Sequence, residues 1–216
     1  REAREGLAGD PPAGVRARPV SRGATPRRPA GWVAPGPRPR APEGLTPADD
    51  EDLSCLAGDF RIFQKRRGHR WSLDDLVTAW VAQQTLRERP PREALDLGCG
   101  VGSVALMVAW SFPEARITGV EAQAVSLDLA RRSLVWNGVD DRVTLHHGDL
   151  RDATALPPAA RFDLVTGTPP YFLAEAIVES AAVQRGPCRV EHRGGPEDYA
   201  RAAARCLAPG GRFVMC

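Results

Sequence analysis

The chain has 216 residues and is poor in lysine, in paired cysteines and in long apolar runs. Lys65 is the only lysine among 29 basic residues, and a formal net charge of +2 is too small to indicate a nucleic-acid partner by itself. The five cysteines include no C-x-x-C pair, which argues against a disulfide framework and a zinc site. No apolar run approaches the roughly 18 residues of a membrane span. We therefore expect a soluble protein, cytoplasmic by default, without a metal or a membrane partner.

The first 47 residues hold half of the prolines and almost no large apolar side chain except Trp32. Such a segment buries too little surface to offset the entropy lost on ordering. We predict a disordered tail that ends in an acidic linker, so that residues 1–52 precede a folded domain at 53–216. The arginines of the tail would allow an organelle leader, but acids near the start argue against one: Glu2, Glu5 and Asp10.

Strand and helix patterns alternate through the predicted domain. Strands separated by helical patterns of this length form βαβ units, and the resulting parallel sheet is covered on both faces. The predicted fold class is α/β with a doubly wound, mainly parallel sheet, C-terminally truncated because the chain stops inside its last strand. The predicted strands are 93–97, 116–120, 142–147, 162–167 and 211–216, and the predicted helices are about 101–112, 123–137 and 196–208.

A further helix is predicted to begin near Ser72, ahead of the first strand of this sheet. Ser72 is a suitable N-cap, and Asp75 takes the third helical position. One face of this helix is apolar, as in an amphipathic helix. That face carries Leu73, Leu76, Val77, Trp80 and Val81.

The stretch EALDLGCGVGSVALMVAW predicts a strand, a tight turn and a helix. Gly98, Gly100 and Gly102 allow the backbone to turn sharply and to approach a ligand closely. Ser103 fits the dinucleotide-binding fingerprint only loosely, and the phosphate-binding pattern G-x-x-x-x-G-K-[ST] is absent. What remains is a glycine loop preceded by an acid, Asp96.

Two more acids end the second and third predicted strands. Glu121 lies 23 residues after Gly98, close to the interval at which such folds place a carboxylate on ribose hydroxyls. Asp149 follows the third strand. His146 and His147 precede it, and we assign these two histidines no role because paired histidines on a strand are usually packing or surface residues.

The fourth strand runs into the sequence TGTPPYF, residues 166–172. Proline lacks an N–H and has a fixed φ, so the two prolines stop the strand rigidly. Ligands of doubly wound sheets bind beyond the carboxyl ends of the strands, which is where this sequence lies. We therefore predict a site here.

Together these motifs resemble the class I S-adenosylmethionine-dependent methyltransferases, with a Rossmann-like sheet. From about Phe60 to Cys216 the chain is similar to the tRNA1(Val) adenine-37 N6-methyltransferase family, which has an S-x-D segment, NPPYF and a later A-R-x-E. Thr168 stands where that family has asparagine. Asp74 matches the acid of the first motif, and Arg189 and Glu191 match the last motif.

The resemblance implies S-adenosylmethionine as cofactor. Asp96 would hold its ammonium, Glu121 its ribose, and Asp149 with the Leu150 backbone its adenine, while the helix after the glycine loop would meet its carboxylate.

The resemblance also implies roles for the residues after strand four. The Thr168 side chain and the Pro169 carbonyl would accept the two hydrogens of the methylated amine, with Pro170 completing the rigid turn. Tyr171 would stack on the flat acceptor, with Phe172 beside it.

The methyl acceptor stays open between alternatives. The first is adenine N6 in a structured RNA such as tRNA, with phosphates meeting the basic residues Arg66 and Arg67. The second is a protein glutamine or a small molecule. A third interpretation, a relative of the fold that binds a partner without catalysis, is disfavoured because the glycines and the acids at the strand ends are all present.

Overall fold

A single five-stranded sheet forms the centre of the molecule. The computed structural model describes residues 28–156, 161–170 and 194–216. Within these residues the sheet order is β5-β4-β3-β6-β7, and a separate antiparallel hairpin consists of β1 and β2. The strands are β1 Glu51–Cys55, β2 Arg61–Lys65, β3 Glu93–Leu97, β4 Arg116–Glu121, β5 Val143–His147, β6 Phe162–Gly167 and β7 Leu207–Met215, and the helices are α1 Leu73–Leu86, α2 Ser103–Ser111, α3 Ala124–Asn137 and α4 Pro196–Cys206.

All four strand pairs of this sheet are parallel, which confirms the predicted α/β class. The chain runs outward from β3 through β4 to β5 and then returns to place β6 on the other side of β3. The strand order therefore reverses between β3 and β6. A crevice opens at such a reversal, beyond the carboxyl ends of the strands, and is the usual ligand site of these folds.

Both faces of the sheet are covered by helices. One buried cluster joins α1, α2 and α3 to alternate strand residues such as Ala94 and Ile117. The other cluster joins α4 to the opposite face, where Leu95, Leu97 and Val165 lie. Residues of one strand point alternately to the two faces, so β3 contributes to both clusters. Of the helices in the described ranges, none is long and apolar enough to cross a membrane.

The acidic run before residue 53 is part of the folded structure, which corrects the predicted linker. Glu51 begins β1 and is only 3% exposed. Its carboxylate accepts hydrogen bonds from both terminal nitrogens of Arg132 on α3, at 3.1 and 2.7 Å, and lies 3.1 Å from Lys65 Nζ. These ion pairs lower the pKa of Glu51 to about 2, with the Arg132 hydrogen bonds as the main cause. Glu51 thus anchors the hairpin to α3, which composition alone did not indicate.

The segment from residue 28 to residue 50 also contacts the domain. The Ala41 N–H donates to the Trp136 carbonyl at 2.8 Å, and Arg40 pairs with Asp140 at 3.1 Å. Gly36 lies against the indole of Trp110 so closely that a Cβ there would overlap the ring. The structured part therefore begins before residue 53, and the predicted disorder of residues 1–27 falls outside the described residues.

Helix α1 begins where predicted but buries a different face. Ser72 and Asp75 form a capping box, in which each side chain meets the other residue's backbone. Leu73 and Trp80 of the apolar face are 69% and 58% exposed. The residues that α1 buries are Asp75, Thr78, Ala79, Ala82 and Leu86. Small side chains let α1 approach α2 closely, which places Asp75 at the site described next.

Candidate active site

A cleft lies at the carboxyl ends of β3, β4, β5 and β6, where the strand order reverses. Seven of the predicted site residues line it and Asp96 lies beneath its floor, while the other seven lining residues come from outside the predicted set. The residues that line the cleft are His69, Gly98, Gly100, Val120, Glu121, Ala122, Gln123, Gly148, Asp149, Leu150, Thr168, Pro170, Gly194 and Tyr199.

The glycine loop between β3 and α2 forms the floor of the cleft. Gly98, Gly100 and Gly102 have φ values of +60°, +54° and +86°, a left-handed conformation that costs glycine little. The Gly100 N–H donates to Glu121 Oε2 at 2.9 Å. Gly102 is the N-cap of α2, and a Cβ there would come within 3.2 Å of Ala130 Cβ. The loop therefore needs its glycines for backbone shape, and Gly102 also for packing against α3.

Tyr199 of α4 occupies the space left by Gly98 of this loop and by Gly167 at the end of β6, and it was not predicted as a site residue. A Cβ on Gly98 would overlap the Tyr199 hydroxyl, and a Cβ on Gly167 would come within 2.6 Å of Tyr199 Cδ1. The ring is buried and its edge borders the cleft. The signal for this role was weak but present, because Tyr199 is one of only two tyrosines in the chain and interrupts an alanine-rich and arginine-rich helix.

Asp96 lies beneath the glycine loop and is 2% exposed. Its carboxylate accepts hydrogen bonds from the Ala105 N–H at 3.1 Å and the Thr166 hydroxyl at 2.8 Å. Burial, with a smaller contribution from the charges of Asp75 and Glu121, raises the pKa of Asp96 to about 7. Asp96 is thus an acid whose ionisation would be favoured by a cation placed nearby.

Glu121 and Asp149 stand at the ends of β4 and β5 and both line the cleft. Glu121 Oε1 accepts from the Gln123 N–H at 2.6 Å, so its two oxygens brace the glycine loop and the start of α3. Asp149 forms a two-pronged ion pair with Arg151, at 2.9 and 2.6 Å. Carboxylate oxygens accept hydrogen bonds, so both side chains present acceptors to the cleft.

Thr168 leaves β6 at the mouth of the cleft, followed by the buried prolines Pro169 and Pro170. The Thr168 hydroxyl donates to Asp75 Oδ1 at 3.2 Å. The acid predicted for this segment was Asp74, which does not line the cleft. The capping box explains why Asp75 takes this position, because it directs the third residue of α1 back toward the helix N-terminus, where it meets Thr168.

The remaining predicted residues fall into two groups. Tyr171, Phe172, Arg189 and Glu191 lie outside the described residues. Arg66 and Arg67 are exposed in the turn after β2, and Arg66 Nε donates to the Glu51 carbonyl at 2.9 Å. Lys65 and Arg70 of the same basic run are engaged in ion pairs with acids of the hairpin region.

His69 and Gly194 also border the cleft and had no recognisable signal in the sequence. His69 Nε2 lies 3.7 Å from the position that a Cβ on Gly100 would take. His69 is distant in sequence from the glycine loop, so only the packing of the segment before α1 brings the two together. No group of three or more histidine, cysteine, aspartate or glutamate side chains in the described ranges is arranged to hold a metal ion.

The family model of the methyltransferase small domain matches residues 75–186, from the buried Asp75 of α1 through the residues that follow Pro170. This match covers more than half of the 216 residues. The chain belongs to the methyltransferase small domain family. The predicted membership of a methyltransferase family, based on the glycine loop and the residues after β6, is thereby confirmed.

Several relatives of this methyltransferase small domain have known activities. The tRNA1(Val) (adenine(37)-N6)-methyltransferase of Porphyromonas gingivalis is 31% identical over 142 residues, which cover 65% of this chain and 54% of that protein. The ribosomal protein uL3 glutamine methyltransferase of Bordetella pertussis is 34% identical, with 52% of this chain and 36% of that protein covered. The chain thus spans about half the length of the first relative and less of the second.

Solved structures support the fold. The 16S rRNA N2 methyltransferase of T. thermophilus, solved with AdoMet and guanosine, superposes with a TM-score of 0.56 at 23% identity. The superposition covers 76% of this chain and 41% of that one. At this identity the likeness shows that the sheet and its helices have the methyltransferase arrangement.

The cleft of this methyltransferase small domain fits the cofactor of its family. S-adenosylmethionine presents a sulfonium, an ammonium, ribose hydroxyls and an exocyclic amine, which are cations or hydrogen-bond donors. The cleft offers the acceptors Glu121 and Asp149, above a buried Asp96 whose pKa of about 7 reflects burial and repulsion among acids. When bound, the cofactor supplies an activated methyl group. Glu121, Asp149, the Leu150 backbone and the glycine loop are the residues that would hold it.

Proposed function

We propose that the protein uses S-adenosylmethionine to methylate an exocyclic amine, namely adenine N6 in an RNA such as tRNA. The observation that carries this proposal is the position of Thr168, Pro169 and Pro170. They follow the end of β6, and Thr168 and Pro170 line the same cleft as Glu121 and the glycine loop that forms its floor. The N6-methyltransferase relative from P. gingivalis supports adenine as the acceptor.

An exocyclic amine is a poor nucleophile because its lone pair is delocalised into the ring. Two fixed oxygens that accept its hydrogens orient the lone pair toward the methyl group, and positioning of this kind supplies a large part of catalysis. The Thr168 hydroxyl oxygen and the Pro169 carbonyl are the two oxygens in this proposal. Proline suits the position because its ring fixes φ and so limits the directions of the neighbouring carbonyl.

An RNA acceptor also has to bring an unstacked base to the cleft. In this proposal the exposed Arg66 and Arg67 meet phosphates; their position in the turn that precedes the cleft-lining His69 and helix α1 supports this role. Charged contacts of this kind hold the nucleic acid without reading its sequence. Tyr171 stays in the proposal as a predicted catalytic residue, and Asp74, Phe172, Arg189 and Glu191 stay as predicted binding residues. A cytoplasmic location stays a prediction.

A second candidate acceptor is the side-chain amide of a protein glutamine. The uL3 relative and the release factor glutamine methyltransferase of Rhodopirellula baltica, which is 37% identical over 86 residues, favour it. A primary amide also has a delocalised lone pair and two N–H hydrogens, so the same two oxygens suit it. A small molecule with a similar amine is a third possibility for the acceptor.

The proposal is tested with the full-length protein, labelled S-adenosylmethionine and separate pools of total RNA and total protein from the source organism. We expect label in RNA, recovered as N6-methyladenosine by nucleoside mass spectrometry, and its loss with Thr168→Val, which keeps the shape of threonine but removes the hydroxyl. Label found in protein as N5-methylglutamine, with none in RNA, would establish the second candidate and refute the first.

The role of the two arginines is tested separately. The double variant Arg66→Ala/Arg67→Ala should weaken RNA binding and lower the slope of log K against log salt by up to about 2, because each phosphate contact contributes close to one. Affinity for S-adenosylmethionine should not change. The matched control is Arg87→Ala/Arg89→Ala, which removes two exposed arginines just beyond α1. Equal losses of RNA binding in both double variants would contradict a specific role.

A further inference from the structure

The hydroxyl of Thr168 has a fixed partner inside the protein. It donates to Asp75 Oδ1 at 3.2 Å, across 93 residues of sequence. A threonine hydroxyl carries one hydrogen and two lone pairs, and an ionised carboxylate can only accept. Because the hydroxyl hydrogen of Thr168 is donated to Asp75, the Thr168 oxygen can only accept in any further hydrogen bond.

Asp75 is itself held rigidly. It is 5% exposed, and its other oxygen, Oδ2, accepts from the Ser72 N–H at 2.9 Å and from the Ser103 hydroxyl at 3.0 Å. The first of these bonds belongs to the capping box that starts α1, and the second comes from the first residue of α2. Two helix N-termini therefore fix the carboxylate that faces Thr168.

We propose that Asp75 is a positioning residue that turns Thr168 into an obligate hydrogen-bond acceptor and so selects a methyl acceptor bearing N–H hydrogens. This inference rests on the proposed function for the identity of the reacting group. The side chain at 168 then presents an acceptor oxygen, as an asparagine carbonyl would, without the donor nitrogen that an asparagine also carries. Thr168 is thus compatible with methylation of an amine because Asp75, on helix α1, accepts the hydrogen of its hydroxyl.

The arrangement also predicts how many methyl groups are added. An NH₂ group satisfies both the Thr168 oxygen and the Pro169 carbonyl, whereas a methylated amine retains only one hydrogen and leaves one of these oxygens without a partner. An unpaired buried acceptor is costly. We therefore expect the monomethylated amine as the product and little conversion to the dimethylated form.

The test is a double-mutant cycle in the full-length enzyme with Asp75→Asn, Thr168→Val and the pair, measured on the acceptor that the wild type methylates. Asparagine keeps an oxygen for the Ser72 N–H but lets its amide donate to Thr168, so the threonine hydrogen is freed toward the cleft. We expect Thr168→Val to lower kcat by about 100-fold and Asp75→Asn by about 10-fold. In the Thr168→Val background, Asp75→Asn should change kcat by less than about twofold, since the residue it acts through is gone.

Two measurements separate positioning from folding. Calorimetric affinity for S-adenosylmethionine and the thermal unfolding midpoint are recorded for every variant, and Glu88→Gln, an exposed charge just beyond α1, is the control for loss of charge. If Asp75→Asn does not fold, Asp75→Glu keeps the charge but displaces the carboxylate. Asp75→Glu then replaces Asp75→Asn in the double-mutant cycle, and we expect the same changes in kcat.

The outcomes distinguish this inference from the proposed function. Equal loss of kcat from the Asp75 substitution in both backgrounds, or no loss in either, overturns the positioning role while leaving amine methylation intact. A dimethylated main product overturns the predicted product. Transfer to an acceptor that carries no N–H contradicts the proposed function itself, and the positioning role with it.

Discussion

Asp96 offers a quantitative test of the site, because its pKa is raised from 3.8 to about 7 by burial beneath the glycine loop. In Asp96→Asn the amide oxygen can still accept the Ala105 N–H. The new amide nitrogen can donate to the Thr166 oxygen, whose own hydrogen then turns to the Leu95 carbonyl, 3.4 Å away. The substitution therefore removes the ionisable group with little change in shape or hydrogen bonding.

Whether stability rises or falls with pH depends on which state, folded or unfolded, binds more protons. Between about pH 4 and pH 7 the folded protein keeps a proton on Asp96 that the unfolded chain has released, so stability falls as pH rises and levels off above pH 7. Over the whole interval the free energy of unfolding falls by roughly 4 kcal/mol, and between pH 5 and pH 8 it falls by roughly 3 kcal/mol.

Several other groups with a shifted pKa titrate outside pH 5 to 8: the pKa is lowered for Glu51, Asp52, Asp59 and Asp152, and raised for the thiols of Cys99 and Cys206. The free energy of unfolding is measured by urea denaturation at several pH values. Wild type should lose roughly 3 kcal/mol more than Asp96→Asn from pH 5 to pH 8. The exposed-site control Asp128→Asn should follow wild type, and equal slopes for wild type and Asp96→Asn would refute the reasoning.

Two further predictions concern packing and the ion pairs of β1. Gly98→Ala should cost about 1 to 3 kcal/mol more than Gly44→Ala in urea unfolding, because both glycines have a positive φ but only the first faces the Tyr199 ring. Glu51→Gln should cost roughly 3 kcal/mol at pH 7 by removing the buried partner of Arg132, whereas the exposed Asp50→Asn should cost less than about 1 kcal/mol. The stabilisation from Glu51 should be present above pH 4.5 and be lost as pH falls toward its folded pKa of about 2.

Each of these predictions has a contrary outcome. Equal costs for Gly98→Ala and Gly44→Ala would mean that Tyr199 moves aside without loss, so the glycine serves backbone shape alone. If Glu51→Gln and wild type lose stability in parallel below pH 4.5, the ion pairs of Glu51 do not stabilise the folded state in the way that its position indicates.

Much of the sheet was predictable because its signals are local. The glycines after β3, the acids at the ends of β4 and β5, and the prolines after β6 each follow a buried strand. In a parallel sheet all these ends meet at one edge. The N-terminus of α1 was predictable for the same reason, since a capping box needs only residues three apart in sequence.

The features that the sequence patterns predicted wrongly depend on contacts between distant segments of the chain. Composition separated residues 1–52 from the domain, but Glu51 is stabilised by Arg132, 81 residues away. Periodicity identified an apolar face on α1, yet Ala79 and Ala82 are buried while Trp80 is exposed, because close approach to α2 favours small side chains. A pattern along one element does not encode which neighbour that element will meet.

The sequence by itself determined the α/β class and the location of the cleft, since glycine, proline and acidic residues at strand ends act through the local backbone; the cofactor class came from the resemblance of these motifs to a family. Only the tertiary structure decided which side chains share that cleft. It placed Tyr199 under Gly98, His69 beside Gly100 and Asp75 against Thr168. Those pairs are far apart along the chain, and the hydrogen-bonding direction of the Thr168 hydroxyl depends on the partner that the packing of α1 supplies.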